Sequence, residues 1–313
     1  MARHPFGGGP MKQLVVLSGK GGTGKTSFTA ALARLAPHVL VADADVDAPN
    51  LHLLLRARQE RDGIREFLGG LQVVLDEATC NGCGECVRVC RFGAVELVAS
   101  EVRWLPRFDP FACEGCGFCA QVCPTRAISM SRRVAGTIHV SDTEVGPLVH
   151  ARLRVAEDNS GRLVSEVRRL AIELAQTEGR ELILVDGPPG IGCPAIASLS
   201  GADAVLLVTE PTTAGLADLE RVVQLVAHFR IPAAVVLNKS DLWPPAEAAV
   251  RELCRDRDLP YLGGIPYDPA FHAAARAGRT VIDTAEPLLL GRMLALWEEV
   301  RAFVAATGER RVA

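Results

Sequence analysis

The 313-residue sequence is poor in lysine and in long apolar runs. Lysine accounts for only four of its 34 basic residues, and arginine supplies the rest. The formal net charge of −3 excludes the basic surface that a general nucleic-acid-binding protein presents. Apolar runs stay below the roughly 18 residues of a membrane span, and residues 1–10 contain no apolar signal-peptide core. We therefore predict a cytoplasmic protein without nucleic-acid or membrane partners.

Two of the four lysines lie in one glycine-rich segment, SGKGGTGKT at residues 18–26. An apolar run precedes it and an alanine-rich run follows, which is the strand–loop–helix context of a phosphate-binding P-loop. Its glycines let successive N–H groups face phosphate oxygens, and the helix N-terminus adds partial positive charge. Lys25 is expected to contact the β- and γ-phosphates, and the Thr26 hydroxyl to bind Mg²⁺. The predicted nucleotide-binding residues of the loop are Gly19, Lys20, Gly21, Gly22, Thr23, Gly24, Lys25, Thr26 and Ser27.

Lys20, at the front of the loop, makes GKGGTGKT resemble the deviant P-loop of the MinD, nitrogenase-iron-protein and Mrp family of ATPases. The resemblance implies that Lys20 crosses a dimer interface to the partner's nucleotide, in a homodimer or in a heterodimer with a paralogue. It also implies that Asp45 positions the attacking water and that Asp43 helps to organise the Mg²⁺ shell. Asp47 and Asn50 are either part of this site or turn and cap residues. Lys20, Lys25 and Asp45 are thus the predicted catalytic residues.

A later apolar run, residues 182–185, ends in the sequence DGPPG, which resembles the switch II segment of the same family. An apolar strand that ends in aspartate is typical of a Walker B site, so Asp186 is expected to hold Mg²⁺ through water. Gly190, at the end of this segment, is expected to let a backbone N–H approach the γ-phosphate.

The apolar run at 233–237 ends in the sequence NKSD. In the family the asparagine at this strand end reads the base, which makes Asn238 the base-contacting candidate. Pro266 lies in a later loop that is expected to line the base pocket. The same N-K-x-D pattern is found in GTPases, where Asp241 would bind guanine; otherwise Asp241 is a helix cap. The deviant P-loop favours ATP.

Eight of the ten cysteines form two runs with the same C-x₂-C-x₂-C-x₃-C spacing. This spacing resembles that of two-cluster ferredoxins, in which the fourth cysteine of each run ligates the other cluster. Zinc is the alternative, but zinc sites built from C-x-x-C pairs leave the third and fourth cysteines of each run unexplained. The sequence therefore predicts one [4Fe–4S] cluster on Cys80, Cys83, Cys86 and Cys123, and a second on Cys90, Cys113, Cys116 and Cys119.

We predict an α/β fold, a doubly wound and mostly parallel P-loop sheet with an inserted ferredoxin-like 2[4Fe–4S] α+β module. The ATPase domain covers residues 11–75 and 133–313, and the inserted module covers residues 76–132. Residues 1–10 are interpreted as a flexible leader, with Met11 as an alternative start. The C-terminal helix is expected to dock on the core rather than on a membrane, through Leu289, Met293, Leu296, Trp297, Val300 and Phe303.

Two further cysteines and the histidines carry less information. Cys254 is predicted to be a core residue. Cys193 is either a redox or cluster-contacting thiol beside switch II or, as we favour, a small buried residue. The seven histidines show no ligand spacing and predict no site.

The insert leaves the ATPase after one nucleotide-sensing segment and returns before the other, which suggests a coupled mechanism. We expect ATP with Mg²⁺ to close a dimer and reposition the insert, and slow hydrolysis, coupled to a partner, to reopen it. Because all eight cysteines lie in one insert, we favour electron transfer through two [4Fe–4S] clusters to a redox client. The alternative is an ATP-dependent carrier or assembly factor that supplies iron–sulfur or metal cofactors to an accepting client. A MinD-like spatial regulator needs no clusters and is least favoured.

Overall fold

The computed structural model describes residues 11–154, 157 and 161–307. These residues divide into two compact units. Unit 1 consists of residues 11–65, 138–152 and 161–307, and unit 2 of residues 66–137 with 153, 154 and 157. Unit 2 is wider than the predicted insert, because the strands on either side of the cysteine runs extend beyond residues 76 and 132.

Strands and helices alternate along most of the chain. The strands are β1 (Lys12–Leu17), β2 (Val39–Asp43), β3 (Gln59–Leu75), β4 (Val95–Ala99), β5 (Trp104–Phe108), β6 (Ile128–Asp142), β7 (Pro147–Leu153), β8 (Leu182–Asp186), β9 (Ala204–Thr209), β10 (Ala233–Asn238) and β11 (Tyr261–Ile265). The helices are α1 (Lys25–Leu35), α2 (Leu51–Leu54), α3 (Glu85–Val89), α4 (Phe118–Val122), α5 (Arg162–Thr177), α6 (Cys193–Leu199), α7 (Thr213–His228), α8 (Pro244–Asp256), α9 (Ala270–Arg276) and α10 (Pro287–Ala306).

Nine strands form one sheet in the order β11-β10-β9-β1-β8-β2-β7-β6-β3. Every neighbouring pair from β11 to β7 is parallel. Strands β2, β8, β9 and β10 are buried at every position, as expected for apolar strands that are covered on both faces. The predicted α/β fold with a mostly parallel central sheet is confirmed.

The topological switch point of the sheet is at β1, which lies between β8 and β9. From β1 the chain first forms β2 on the β8 side, and it later forms β9, β10 and β11 on the other side. Parallel sheets bind ligands beyond the carboxyl ends of their strands at such a switch point. The P-loop follows β1, the acidic segment begins at the end of β2, and switch II and Asn238 lie at the ends of β8 and β10. The sheet therefore brings the predicted nucleotide residues to one edge, called here the nucleotide edge.

Helix α10 packs against the core of unit 1, as predicted. Its buried side chains are Leu289, Met293, Leu296, Trp297, Val300 and Val304, whereas Phe303 is only partly buried. Cys254 in α8 is also buried, as predicted. Among the residues that the structure describes, no helix is long and apolar enough to cross a bilayer.

Unit 2 contains two similar halves. In the first half, β3 leads into a cysteine loop, α3 and β4; in the second, β5 leads into a cysteine loop, α4 and the start of β6. Strands β4 and β5 pair in antiparallel orientation, and α3 packs against α4. The two halves exchange equivalent backbone hydrogen bonds of 2.8 Å, from Asp76 N to Ala127 O and from Asp109 N to Ala94 O. The repeat in the sequence is thus a repeat in three dimensions.

Candidate functional site

The P-loop requires glycine at its turn into α1. Gly22 and Gly24 have left-handed backbone angles, with φ of 82° and 95°, which strain a residue that carries a Cβ. At Gly24 a Cβ would also lie 2.4 Å from Asn238 Nδ2. That amide nitrogen donates a hydrogen bond of 2.8 Å to Thr23 O. The predicted base-reading residue therefore packs directly against the loop.

Lys25 and Asp186 form the centre of the nucleotide edge. Lys25 Nζ lies 2.8 Å from Asp186 Oδ1 and 3.5 Å from Asp45 Oδ2. Thr26 donates a hydrogen bond of 2.7 Å to Asp186 Oδ2, and Thr29 donates one of 2.9 Å to Oδ1. Burial lowers the pKa of Lys25, but the surrounding carboxylates outweigh it, so the pKa lies above its usual value. Lys25, the first residue of α1, is therefore a buried cation at the nucleotide edge.

Asp43 shapes the loop that carries Asp45. Its carboxylate is fully buried and accepts backbone hydrogen bonds of 3.1 to 3.2 Å from Asp45, Asn50 and Leu51. Burial and the nearby Asp186 carboxylate raise the pKa of Asp43 to about 8. Burial also raises the pKa of Asp45, against the attraction of Lys25. The nucleotide edge thus carries an excess of buried acidic groups, which a divalent cation would neutralise.

The oxygen atoms at this edge fit Mg²⁺, which prefers oxygen ligands and keeps several waters. The Thr26 hydroxyl and the Asp186 carboxylate are the groups placed to hold it. Within the described part of the chain, the hydrogen bonds that Asp43 accepts come from the segment from Asp45 to Leu51, so its expected part in the Mg²⁺ shell is indirect. Within residues 11–154, 157 and 161–307, no three His, Cys, Asp or Glu side chains converge on a single-ion site. Nucleotide oxygens and water therefore have to complete the coordination shell.

Switch II is joined to the P-loop through its backbone. The N–H of Gly190, which has φ of 86°, donates a hydrogen bond of 2.9 Å to Ser18 O. The sequence predicted that this N–H approaches the γ-phosphate. An N–H that already donates to the P-loop has to leave that acceptor first, so switch II has to move to contact a phosphate.

Lys20 contacts an acidic residue of its own chain. Its Nζ lies 2.7 Å from Glu210 Oε1 and 3.3 Å from Thr212 Oγ1. Lys239 Nζ lies 2.7 Å from the other Glu210 oxygen and donates to Gly22 O. Burial raises the pKa of Glu210, but the two lysines outweigh it and bring the pKa below its usual value. Sequence reasoning missed Glu210, although its place just after β9 puts it at the nucleotide edge.

A cavity of about 90 Å³ lies beside the P-loop, at the expected position of the base. Asn238, the predicted base-contacting residue, lines this cavity. Pro266 does not, because it directly follows the last residue of β11 and the chain reaches the cavity one residue later. The other residues that line the cavity are Gly22, Gly24, Ser27, Lys239, Tyr267, Asp268, Phe271, His272 and Ala275.

Asp241 supports the base loop and does not line the cavity. Its Oδ1 accepts a hydrogen bond of 2.5 Å from the backbone N–H of Tyr267. A carboxylate that reads guanine has to face the base, so this geometry favours ATP over GTP.

Replacing Asp241 with asparagine is therefore expected to leave a preference for ATP over GTP unchanged. The matched substitution inside the cavity, Asn238→Asp, is expected to weaken ATP binding by about tenfold, because it replaces an amide donor with a carboxylate. Competition of ATP and GTP against a fluorescent ATP analogue measures both effects. A wild-type preference for GTP that disappears in Asp241→Asn would contradict the assignment.

In unit 2 the eight cysteines of the two runs line two separate cavities, four in each. Each set takes three cysteines from one run and the fourth from the other run, which is the interleaved pattern of two-cluster ferredoxins. Set A consists of Cys80, Cys83, Cys86 and Cys123. Set B consists of Cys90, Cys113, Cys116 and Cys119.

Glycine allows a neighbouring strand to approach each cysteine loop. Gly82 and Gly115 occupy equivalent positions and have φ of 70° and 62°. A Cβ at Gly82 would lie 2.4 Å from Trp104 O, and one at Gly115 would lie 2.3 Å from Leu71 O. The backbone of the loops is therefore compatible only with glycine at these two points.

The cysteine sets suit a cluster better than a single ion. Zinc needs four donors at about 2.0–2.3 Å from one point, and the described part of the chain contains no such convergence of Cys, His, Asp or Glu side chains. In a [4Fe–4S] cluster each thiolate binds a different iron, so four thiols spread around a cavity match its requirement.

Three histidines lie together beside the nucleotide edge, although their sequence spacing gave no sign of it. The His150 ring in β7 stacks on His139 of β6 and on His52 of α2, with centroid distances of 5.0 and 5.2 Å. Among the residues that the structure describes, none forms a hydrogen bond with the buried Nδ1 atoms of His52 and His150. Burial, with the neighbouring histidines and Arg152, lowers the pKa of His150 to about 3. His150 is therefore neutral at physiological pH. The three stacked rings of His52, His139 and His150 are called here the histidine stack.

Cys193 begins α6, beside switch II, and its side chain is exposed. The buried packing role that we favoured from the sequence is therefore wrong. The sequence could not show this, because a small residue at a helix start packs or faces solvent according to its neighbours.

Comparison with known proteins gives a family match for most of the chain. The model of the CbiA family, described as the CobQ/CobB/MinD/ParA nucleotide binding domain, matches residues 14–281. An uncharacterized protein of Methanocaldococcus jannaschii is 31% identical over 238 residues, which are 75% of this chain and 80% of that protein. An iron–sulfur cluster carrier protein of Pyrococcus horikoshii is 24% identical over 289 residues, which are 86% of this chain and 79% of the carrier.

Solved structures share the fold. The MinC:MinD cell division complex of Aquifex aeolicus contains a chain that is 20% identical, with a TM-score of 0.53 over 93% of this chain and 96% of that chain. McdA of Cyanothece in complex with ATP is 19% identical, with a TM-score of 0.52 over 94% of this chain and 97% of McdA.

Proposed function

The chain belongs to the CobQ/CobB/MinD/ParA nucleotide-binding family, and we propose that it is an ATP-dependent carrier of iron–sulfur clusters. In this proposal unit 1 binds and hydrolyses ATP, and unit 2 holds two [4Fe–4S] clusters. The division of eight cysteines into two complete four-thiol sets, each around its own cavity, supports the two clusters. The reducing cytoplasm is the location that suits these free thiols.

In this proposal the residues of the nucleotide edge have different roles in ATP hydrolysis. Lys25 would bind the β- and γ-phosphates, and Thr26 with Asp186 would hold Mg²⁺, which neutralises phosphate charge when it is bound. Asp45, 3.5 Å from Lys25 Nζ, would orient the attacking water. We expect slow turnover that depends on a partner.

Lys20 would act across a dimer of two copies or of one copy and a paralogue. For this, its ammonium group has to leave Glu210 and reach the partner's nucleotide. The exchange is feasible because the Lys20 side chain is partly exposed, and Glu210 keeps its ion pair with Lys239 when Lys20 leaves. Dimer formation would thus convert an internal ion pair into a contact between chains.

We prefer cluster delivery to electron transfer as the function, although the sequence alone favoured electron transfer. Two relatives, the proteins of Pyrococcus horikoshii and Pyrococcus abyssi, carry the name iron–sulfur cluster carrier protein, and this observation carries the choice. Electron transfer stays the second candidate, because a complete set of four thiols per cluster also suits a permanently held redox centre. The two functions differ in whether the cluster leaves the chain.

A transfer assay tests the proposal. The protein is purified and loaded without oxygen, and then mixed with an apo-ferredoxin that gains a characteristic spectrum when it receives a [4Fe–4S] cluster. We expect Mg-ATP to accelerate transfer by about tenfold, a typical coupling between two sites. In Lys25→Ala, ATP is expected to lose this effect.

Retention of all clusters in the presence of the acceptor would contradict the carrier function. If ATP then shifted the reduction potential of the retained clusters, electron transfer would replace cluster delivery as the function. Iron and sulfide content and the redox titration followed by electron paramagnetic resonance distinguish the two results.

A further inference from the structure

The protein covers the two cysteine sets to different extents. In set A, Cys80 and Cys86 are buried, with only 8% and 7% of their surface exposed. In set B, Cys116 is exposed and the other three cysteines are partly buried. Each set has one exposed thiol, Cys83 in set A and Cys116 in set B, but two thiols of set A are buried and no thiol of set B is, so an incoming thiol or chelator meets more cover at set A.

The cavities differ in the same direction. The cavity inside set B measures about 410 Å³, against about 10 Å³ for set A. Pro106 and the buried Ile128 help to line the set A cavity. The set B cavity is lined by Phe92 and Phe118, whose side chains are 41% and 49% exposed. A half-exposed ring can change its rotamer and turn away from the cavity without movement of the backbone. Phe92 and Phe118 therefore form a movable apolar cover over set B.

The internal repeat places different residues at the two equivalent positions. Phe118 directly precedes the third cysteine of its run, where the first run has Glu85; Phe92 lies two residues after a fourth cysteine, where the second run has Thr125. Glu85 and Thr125 line the set A cavity. The Thr125 hydroxyl lies 3.7 Å from Cys123 Sγ, within hydrogen-bond distance of a sulfur atom. Set A thus has a hydroxyl group, that of Thr125, beside one of its thiols, and set B has the Phe92 ring at the equivalent position.

We propose that set B is the exchange site, from which the cluster is delivered, and that set A retains its cluster. This inference rests on the proposed carrier function. In the exchange, four bonds from iron to the Sγ atoms of set B break and four bonds to thiolates of the acceptor form. The cluster keeps its atoms and its oxidation state, and the released thiolates take up the protons that the acceptor thiols lose.

Chelation of the loaded wild-type protein tests the assignment without any substitution. Bathophenanthroline disulfonate is added without oxygen, and released iron is followed by absorbance. We expect two phases of equal amplitude, because each [4Fe–4S] cluster holds about half of the iron. Iodoacetamide, added at the end of the fast phase, is expected to modify the cysteines of set B and to spare those of set A, as measured by peptide mass spectrometry.

A matched pair of variants tests the movable apolar cover over set B. Phe118→Ala is expected to accelerate the fast phase by about tenfold, because the apolar shell around a metal centre controls access to it. Phe111→Ala removes a ring that is 74% exposed but lies outside the cavity lining, and is expected to leave both phases unchanged.

Modification of set A first, or of both sets together, would overturn the assignment of set B as the exchange site. That result would leave the carrier function intact if the apo-ferredoxin still received clusters. Conversely, selective loss from set B to the chelator without any transfer to apo-ferredoxin would support the asymmetry and contradict the carrier function.

Discussion

Replacing Lys25 with alanine is expected to lower the rate of ATP hydrolysis by about 10²–10³-fold. Lys25 Nζ lies at the nucleotide edge, 2.8 Å from Asp186 Oδ1 and 3.5 Å from Asp45 Oδ2. It is a buried cation at the nucleotide edge, and its positive charge would stabilise the negative charge that develops on the phosphates. Phosphate release at saturating Mg-ATP measures the effect.

The same substitution at Lys12 is the control. Lys12 is also largely buried, but it lies at the opposite end of β1 from the nucleotide edge. Lys12→Ala is therefore expected to hydrolyse ATP at a rate close to that of the wild type. Circular dichroism checks that both variants fold, and Lys25→Arg keeps the positive charge if the alanine variant unfolds. Near-normal hydrolysis by folded Lys25→Ala would contradict the assigned site.

Acidification from pH 6.5 to 5 is expected to destabilise unit 1 by about 2 kcal/mol through His150. The pKa of His150 is lowered to about 3 in the folded protein, from a usual value of 6.5. Between these two values the unfolded chain binds a proton that the folded protein does not. The free energy of unfolding therefore falls as the pH drops below about 6.5, and this loss continues to about pH 3.

The neighbours of His150 explain why it resists protonation. It lies between the His52 and His139 rings, and Arg152 donates a hydrogen bond of 2.8 Å to His52 Nε2. Its Nε2 lies 3.3 Å from the Ser141 hydroxyl. Glu60 Oε1 lies 2.7 Å from His139 Nδ1, and Asp43 is the backbone neighbour of His150 on the adjacent strand. Burial nevertheless dominates, so the neutral imidazole is the stable form.

Urea unfolding at a series of pH values measures the effect in the full chain. His150→Gln keeps a polar side chain of similar size but cannot titrate, so the pH dependence of its stability should be weaker than that of the wild type by about 1.4 kcal/mol per pH unit between pH 6 and 4. His228→Gln changes an exposed histidine and should follow the wild-type curve. Equal pH dependence in His150→Gln and the wild type would show that the stack is not the source.

The sequence predicted the features that depend on short spacing. A P-loop is a continuous strand–loop–helix segment, so the roles of Gly24 and Lys25 could be assigned before any packing was known. The interleaved cysteine sets followed in the same way, because the loop length decides which three thiols can surround one cavity. The parallel sheet followed from apolar runs that alternate with helices.

The sequence failed where residues far apart in the chain decide the environment. Glu210 binds Lys20 and Lys239, and Asp241 supports a loop through the N–H of Tyr267. The exposure of Cys193 is another case, since local pattern could not tell whether a neighbour covers it. The preference for cluster delivery came from the named relatives, because a cysteine spacing shows how a cluster is held and does not show whether it leaves.

The sequence by itself thus determined the chemistry of this protein: a nucleotide loop, two carboxylate segments and two sets of four thiols. Only the tertiary structure decided the histidine stack, formed by residues 52, 139 and 150, and the unequal cover of set A and set B. The physical reason is that covalent spacing fixes local geometry. Burial, electrostatic neighbours and cavity size instead depend on which distant segments pack together.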